Sequence, residues 1–393
     1  MGKINSFFKK HFVWLFYLYA LASAVSITAC TVILSLFLLF YVLNARENLP
    51  KAPKDFRIFL GIYFWKMGTL LFNGLFSQLG RIINIWDKLP FVFASNLKIS
   101  ERNVRTFLKI LFWANVAVII LALLQKYCGF PELVKPLFTP GMDRFKGYFS
   151  HPLRFAGYLS SVSVIAFSFS IFHSKRNWPA FLVLFTAVFM TGSRSYFLGV
   201  VAACSFLAFF RSRKFFLIFS AALAVYLGLM FVFMPSFSGR VGAVFSEGAG
   251  IGLRANFWKA GWEIALAHPL AGVGDKEISA YLKPYKEAGL IDNTAHAHNA
   301  YLTAAAENGF LGAFLLVLLF AYFLRKYFLA GRGAKDDFTR AFAFSIFGCW
   351  ANLAAAGMFE SNFSTFIIWS FLTFYMGMYE SYRSSAVRVT YGT

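Results

Sequence analysis

Apolar residues fall along the chain in runs too long for strands or for ordinary soluble helices. From the N-terminus, stretches with few or no charges cover residues 12–25, 27–43, 57–76, 82–97, 105–125, 154–172, 178–192, 195–210, 215–234, 309–329, 340–358 and 364–381. A helix needs about 20 apolar residues to cross a bilayer, with a range of about 17–25. The pattern predicts an all-α, polytopic transmembrane protein of about twelve helices. Residues 12–43 hold no charge and are too long for a cleaved signal segment, so they are expected to form two short helices with a tight turn near Ser26. The stretch 82–97 fits worst, because Asp87, Lys88 and Pro90 interrupt it.

Between these runs lie two substantial polar segments, at about 126–151 and, much longer, 235–308. The chain therefore divides into membrane helices over 1–234, a long loop over 235–308, and membrane helices over 309–393. Within the loop, Arg254 to His268 carries Phe257, Trp258, Gly261, Trp262, Ile264, Ala265 and Leu266 at near-helical spacing. That predicts an amphipathic helix with Trp at headgroup depth, ended by Pro269 and a Gly272-Val273-Gly274 turn. A second short helix is expected from near His298 to Gly309.

Composition agrees. Hydrophobic residues make up 59% and charged residues 14%, where soluble domains carry about 25% charged. The mean hydropathy is +0.62. The net charge of +21 invites a nucleic-acid reading, but Lys and Arg stand in short clusters between apolar runs, as in the positive-inside rule. Examples are Lys9-Lys10, Arg46 to Arg57, Lys98 to Lys109, Arg211 to Lys214 and Arg325 to Arg340. This places both termini in the cytoplasm, puts the two long segments outside and excludes nucleic acid as a partner. Of the four cysteines, Cys30, Cys204 and Cys349 lie in apolar runs; with Cys128 they give no disulfide framework and no metal spacing.

Three places hold candidate chemistry. Thr191-Gly192-Ser193-Arg194-Ser195 is a polar break between two apolar runs. Arg194 faces a polar cavity or merely snorkels at a hairpin tip. Arg254 stands near the start of the loop helix, where the helix N-terminus and a guanidinium fork both suit phosphate; a solvated position on the polar face is the plainer reading. His296-Ala297-His298-Asn299 offers a group that titrates near neutral pH, just ahead of a spanning helix. The two histidines are possible metal ligands, but no adjacent Cys or well-spaced carboxylate completes a metal site, so none is expected. Absences narrow the class further. There is no outer Asp-X-Asp for metal-bound pyrophosphate, no phosphate-binding Gly-rich loop, and almost no acid in the spans to carry protons; Lys66 is the one obvious ion within a run, and Glu360 lies near an outer end.

At these residues the chain resembles the O-antigen ligases and the related O-antigen polymerases. The ligase pattern of His, then Asn, Ser or Gln, nine residues, Gly, two residues and Gly reads here as His298, Asn299, Gly309 and Gly312 in HNAYLTAAAENGFLG. MTGSRSYFLG at 190–199, LRANFWKAGWEIALAHPLAGVG at 253–274 and DRFKGYFSHPLRFAGYL at 143–159 are similar to further family segments, in the family's order. The loop is fairly short and aromatic content is high at 20%, but neither departure touches the motif positions.

The resemblance implies a membrane glycosyltransferase with a fold of the GT-C kind, in the bacterial inner membrane, with a periplasmic site. The implied donor is a glycan on undecaprenyl pyrophosphate, and the implied acceptor a sugar hydroxyl of lipid A–core. The implied transfer inverts the anomeric centre and uses neither metal nor cofactor. By position, Arg194 and Arg254 would bind the pyrophosphate, and His298, with Asn299 beside it, would serve the acceptor. Arg144, Lys146, Arg154 and Glu307 would line the entrance or bind acceptor phosphates, or are ordinary interface charges. An O-antigen polymerase is the alternative within the class, and a lipid-linked glycan transporter the alternative outside it.

Overall fold

A computed structural model describes residues 2–43, 50–132, 135–141, 144–233, 251–361 and 365–391. Residues 234–250, which open the long loop, and Arg46 of the second basic cluster lie outside the described residues. The regular secondary structure of the described residues is helical, with one isolated bridge between Phe138 and Phe145. Among the described residues, five helices are long and apolar enough to cross a membrane: Glu101–Cys128, Pro152–Phe172, Arg194–Arg211, Arg213–Val232 and Ala300–Arg332. Val13–Val25 and Ile27–Leu43 are shorter apolar helices. They fold back on each other at Ser26, since Tyr19 from the first and Phe37 from the second both reach the ring of Phe374.

Burial sorts the helices. The apolar window of Pro152–Phe172 is 100% buried and that of Arg213–Val232 only 6%, so the first is the bundle's axis and the second lies at its rim. In lipid, close packing and interhelical hydrogen bonds hold helices together. The central helix uses its serines in this way. Ser160 accepts from Asn352 at 2.8 Å, and Ser168 donates to the Ala341 carbonyl at 2.8 Å. Tyr158 joins Ser23 at 2.9 Å and Asn115 at 3.0 Å.

The expected span at 82–97 needs correcting. The chain forms a 3-10 stretch over Phe76–Asp87 and then a seven-residue helix, Leu89–Ser95. Seven residues rise only about 10 Å, far less than a bilayer core. The interrupting charges explain the break: Lys88 pairs with Asp87 at 2.8 Å and lies 4.1 Å over the Trp369 ring.

The long apolar helix near the C-terminal third starts at Ala300, earlier than the expected 309, and is kinked at Gly309 (φ 70°, ψ 176°). The kink frees carbonyls that a straight helix would satisfy, and the loop takes them up. Val273 N–H donates to the Ala306 carbonyl and Gly274 N–H to the Glu307 carbonyl, both at 2.9 Å; Phe310 N–H donates back to Pro269 at 2.9 Å. A side chain at Gly309 would meet positive φ and collide with the Leu270 carbonyl. At Gly312 it would strike Asn308 and crowd Trp65, whose Nε1 donates to the Asn308 carbonyl at 2.9 Å. The two motif glycines thus let the Pro269–Gly274 turn and the helix Phe56–Phe72 dock on the kink.

Candidate functional site

The loop helix Ile251–Ala267 lies over the start of the kinked helix. Its Trp258 Nε1 donates to the His298 carbonyl at 3.4 Å, and its Phe257 ring stands edge-on to the His298 imidazole at 5.0 Å. Trp258 also approaches Phe359, at 6.1 Å between rings. Arg254, half-buried, stands one turn before these two aromatic residues.

Asn299 is the N-cap of the kinked helix. Its Oδ1 accepts from the N–H groups of Tyr301 at 2.9 Å and Leu302 at 3.0 Å, and its Nδ2 donates to the Met358 carbonyl at 3.1 Å. The Asn after the histidine therefore joins two helix ends and fixes where the histidine stands. His298 has φ +47°, a left-handed conformation that costs a non-glycine residue energy and is held by its surroundings.

Glu360 completes the centre. Its Oε1 lies 3.5 Å from His296 Nε2 and 3.7 Å from His298 Nδ1, with the carboxylate almost wholly buried. Burial alone would raise the Glu360 pKa. His298, His296 and the Ser361 N–H outweigh it and hold the group below the usual glutamate value. Burial lowers the His296 pKa, against the opposing pull of Glu360, so this ring is neutral at neutral pH. His298 N–H donates to His296 Nδ1 at 3.1 Å, which assigns the His296 proton to Nε2, facing Glu360. Among the described residues, buried His298 Nδ1 has no hydrogen-bond partner, since 3.7 Å is too long.

Sequence spacing offered no carboxylate for a metal, but folding brings one. Ligand atoms of His296, His298 and Glu360 lie within 4.8 Å of one another, a spacing that can hold a divalent cation. The hydrogen bonding opposes it: a metal on His296 Nε2 needs that nitrogen's proton gone, while the His298 N–H already occupies Nδ1.

The arginines gather around the same end. The helices Arg194–Arg211 and Asp337–Gly357 run antiparallel: Phe210 touches Phe344, Leu207 approaches Gly348, and Gly199 packs on Asn352 and Ala356. Continued outward, this register brings Arg194, half-buried at its helix start, to the level just beyond Gly357, where Glu360 follows. Arg144 Nε donates to the Thr191 carbonyl at 3.0 Å, next to the Arg194 turn. His151 has a lowered pKa, first through desolvation and then through Arg144 and Arg154, with Glu360 acting the other way. The segments before the central helix thus share an electrostatic neighbourhood with Glu360.

Two secondary candidates lie elsewhere. Lys146 N–H is bonded to the Leu137 carbonyl, with no link to the histidines. Glu307 sits in a second polar cluster with Lys66 and Asp275, which pair at 2.6 Å. Sequence reading missed the roles of Glu360, Asp275 and Asp87. Only Glu360 carried a signal, as an isolated acid at the end of an apolar run.

One comparison with known proteins bears on this geometry. The family model described as O-antigen ligase matches residues 179–317. The resemblance read from the sequence is borne out over that segment. It contains Arg194, Arg254, His298, Gly309 and Gly312, and leaves Glu360 and Arg144 outside. No curated protein matches the chain. The O-antigen ligase match supports a ligase- or polymerase-type enzyme in a membrane.

Proposed function

We propose that the protein is an O-antigen ligase, transferring a glycan from undecaprenyl pyrophosphate to a sugar hydroxyl of lipid A–core at the periplasmic face of the bacterial inner membrane. The reading takes residues 235–308 as the periplasmic loop between membrane parts 1–234 and 309–393. One observation carries it: an imidazole, His298, stands beside a buried carboxylate at an end of the bundle where Arg144, Arg154, Arg194 and Arg254 also collect.

The chemistry follows from the geometry. With Nδ1–H turned to Glu360, His298 presents Nε2 as a base, the arrangement by which a carboxylate fixes an imidazole's tautomer. The acceptor hydroxyl gives its proton to Nε2 as its oxygen bonds to the anomeric carbon. The bond from that carbon to the pyrophosphate oxygen breaks, and undecaprenyl pyrophosphate leaves with the electron pair. Arg194 and Arg254 stabilise the charge gathering there, as fixed guanidiniums suit phosphate oxygens. Hydrogen bonds in resting sites are often long and tighten with substrate, which fits the 3.7 Å separation from Glu360. No step requires a metal.

The test is a reconstituted assay with undecaprenyl-pyrophosphate-linked glycan and lipid A–core, in EDTA. The expected product is glycan on lipid A–core, lost in His298→Ala. Growth of the glycan on its own lipid carrier would make the protein a polymerase. Movement of the intact lipid-linked glycan across the bilayer, without transfer, would make it a transporter.

A further inference from the structure

Beside the histidines lies a cavity of about 810 Å³, a size typical of small-ligand sites. Its walls come from the helix Phe56–Phe72, the 3-10 stretch Phe76–Asp87, the loop around Asp275 and the first turns of the kinked helix. His296 and Ser361, the neighbour of Glu360, stand at its edge. Trp65 and Trp86 give it flat aromatic surfaces, and Asp87, Asp275 and Glu307 supply carboxylates.

Resting on the ligase reading, we infer that this cavity is the subsite for the acceptor saccharide, with Trp65 and Trp86 as platforms and Asp87 and Asp275 as hydroxyl acceptors. A sugar ring has an apolar C–H face that lies flat on an aromatic ring, and a rim of hydroxyls that donate to carboxylates. The cavity offers both.

The lining and the direction of attack point to the acceptor rather than the donor. None of Arg144, Arg154, Arg194 and Arg254 lines the cavity, and the lysines beside its carboxylates are taken up in pairs, Lys66 with Asp275 at 2.6 Å and Lys88 with Asp87 at 2.8 Å. A pyrophosphate finds no guanidinium fork there, whereas a neutral polyol needs none. Direct displacement also requires the incoming hydroxyl to approach opposite the leaving group. With the pyrophosphate on the arginines, the acceptor enters from another side, and the cavity opens next to the proposed base. Lys66 pairs with Asp275 at 2.6 Å, and Arg81 with Glu277 at 2.7 Å and with the Asp275 carbonyl; these bonds hold the loop wall in place without substrate. The cavity is therefore preformed, which lowers the ordering cost of binding.

The experiment uses the full-length purified protein and two probes: delipidated lipid A–core oligosaccharide and undecaprenyl pyrophosphate without a glycan. Binding is read by intrinsic tryptophan fluorescence and by saturation-transfer NMR. Ser279→Trp and Ala304→Trp place bulk inside the cavity from two different walls. The expected result is at least tenfold weaker oligosaccharide binding in both, unchanged binding of undecaprenyl pyrophosphate, and an unchanged melting temperature. Saccharide contacts in NMR should centre on tryptophan rings. Oligosaccharide binding that survives both plugs, or is missing in the wild type, overturns the subsite. Loss of undecaprenyl pyrophosphate binding instead assigns the cavity to the donor and also overturns it. Because binding is read without turnover, a protein that binds the saccharide here yet transfers nothing refutes the ligase reading and leaves the subsite standing.

Discussion

The two ends of the kinked helix carry charge clusters built on opposite plans. Near Arg332, Lys326 holds Glu380 at 2.6 Å and also binds Asp55, to which Tyr322 donates as well. Every group there has a partner at contact distance, and three helices are stapled together. Near Ala300, Glu360 stands 3.5 and 3.7 Å from two imidazoles, His298 takes a strained conformation, and its Nδ1 has no hydrogen bond among the described residues. A staple gains by closing its distances. A site that must receive a ligand keeps some donors unspent and spends folding energy holding them there.

The largest effects should separate the two clusters. His298→Ala should lower transfer by roughly 10²–10⁴-fold, the range for loss of a general base, with little change in melting temperature. Lys326→Met should do the reverse, lowering the melting temperature while folded protein keeps its turnover number. If Lys326→Met abolished turnover in protein that still melted normally, the contrast would be wrong.

Next come the arginines. Arg194→Ala and Arg254→Ala should each cost on the order of a hundredfold or more in turnover, as for other fixed donors at developing charge. Lysine at either position should recover only part, because an ammonium cannot offer a planar fork. Full recovery by lysine would mean that only net charge matters.

Much of this was legible in the sequence, for identifiable reasons. The long helices were readable because apolar length alone marks a span, whereas 82–97 was expected to span as well, and its break was not read although Asp87, Lys88 and Pro90 made it the worst fit. The loop helix followed from periodicity, while at Gly309 the sequence suggested the end of a short helix and the structure instead carries one helix through a kink. Partners distant in sequence were not readable. Glu360 meets the histidines only because the helix Asp337–Gly357 returns to the same end of the bundle, and Asp275 meets Lys66 only because the Gly272–Gly274 turn docks on the kink. Local pattern carries no record of such pairings. Asn299 shows the converse: motif position made it a substrate-binding candidate, while the structure engages its side chain as a cap.

Glu360→Gln should cost less than loss of His298, roughly tenfold. Its clearer mark is on pH. Burial lowers the His296 pKa and the Glu360 carboxylate raises it, so removing that charge lets burial act with less opposition. Protonation of His296 then waits for lower pH, and the midpoint of its imidazole NMR titration should move down. An upward move would show that the carboxylate does not stabilise the imidazolium form.

The smallest effect is at Asn299, and it divides a cap from a contact. Alanine there removes both backbone bonds at the helix start and the link to Met358, and loss of an N-cap costs about 1 kcal/mol. Serine is nearly as good a cap but is too short to keep the Met358 link while capping. If Asn299 acts by fixing the chain, Asn299→Ser should regain most of the melting temperature and most of the transfer rate together. If Asn299 also holds the acceptor, serine should restore stability and leave the acceptor KM raised. Measuring melting and KM on the same two variants distinguishes these outcomes, because a cap acts through the backbone and a ligand contact does not.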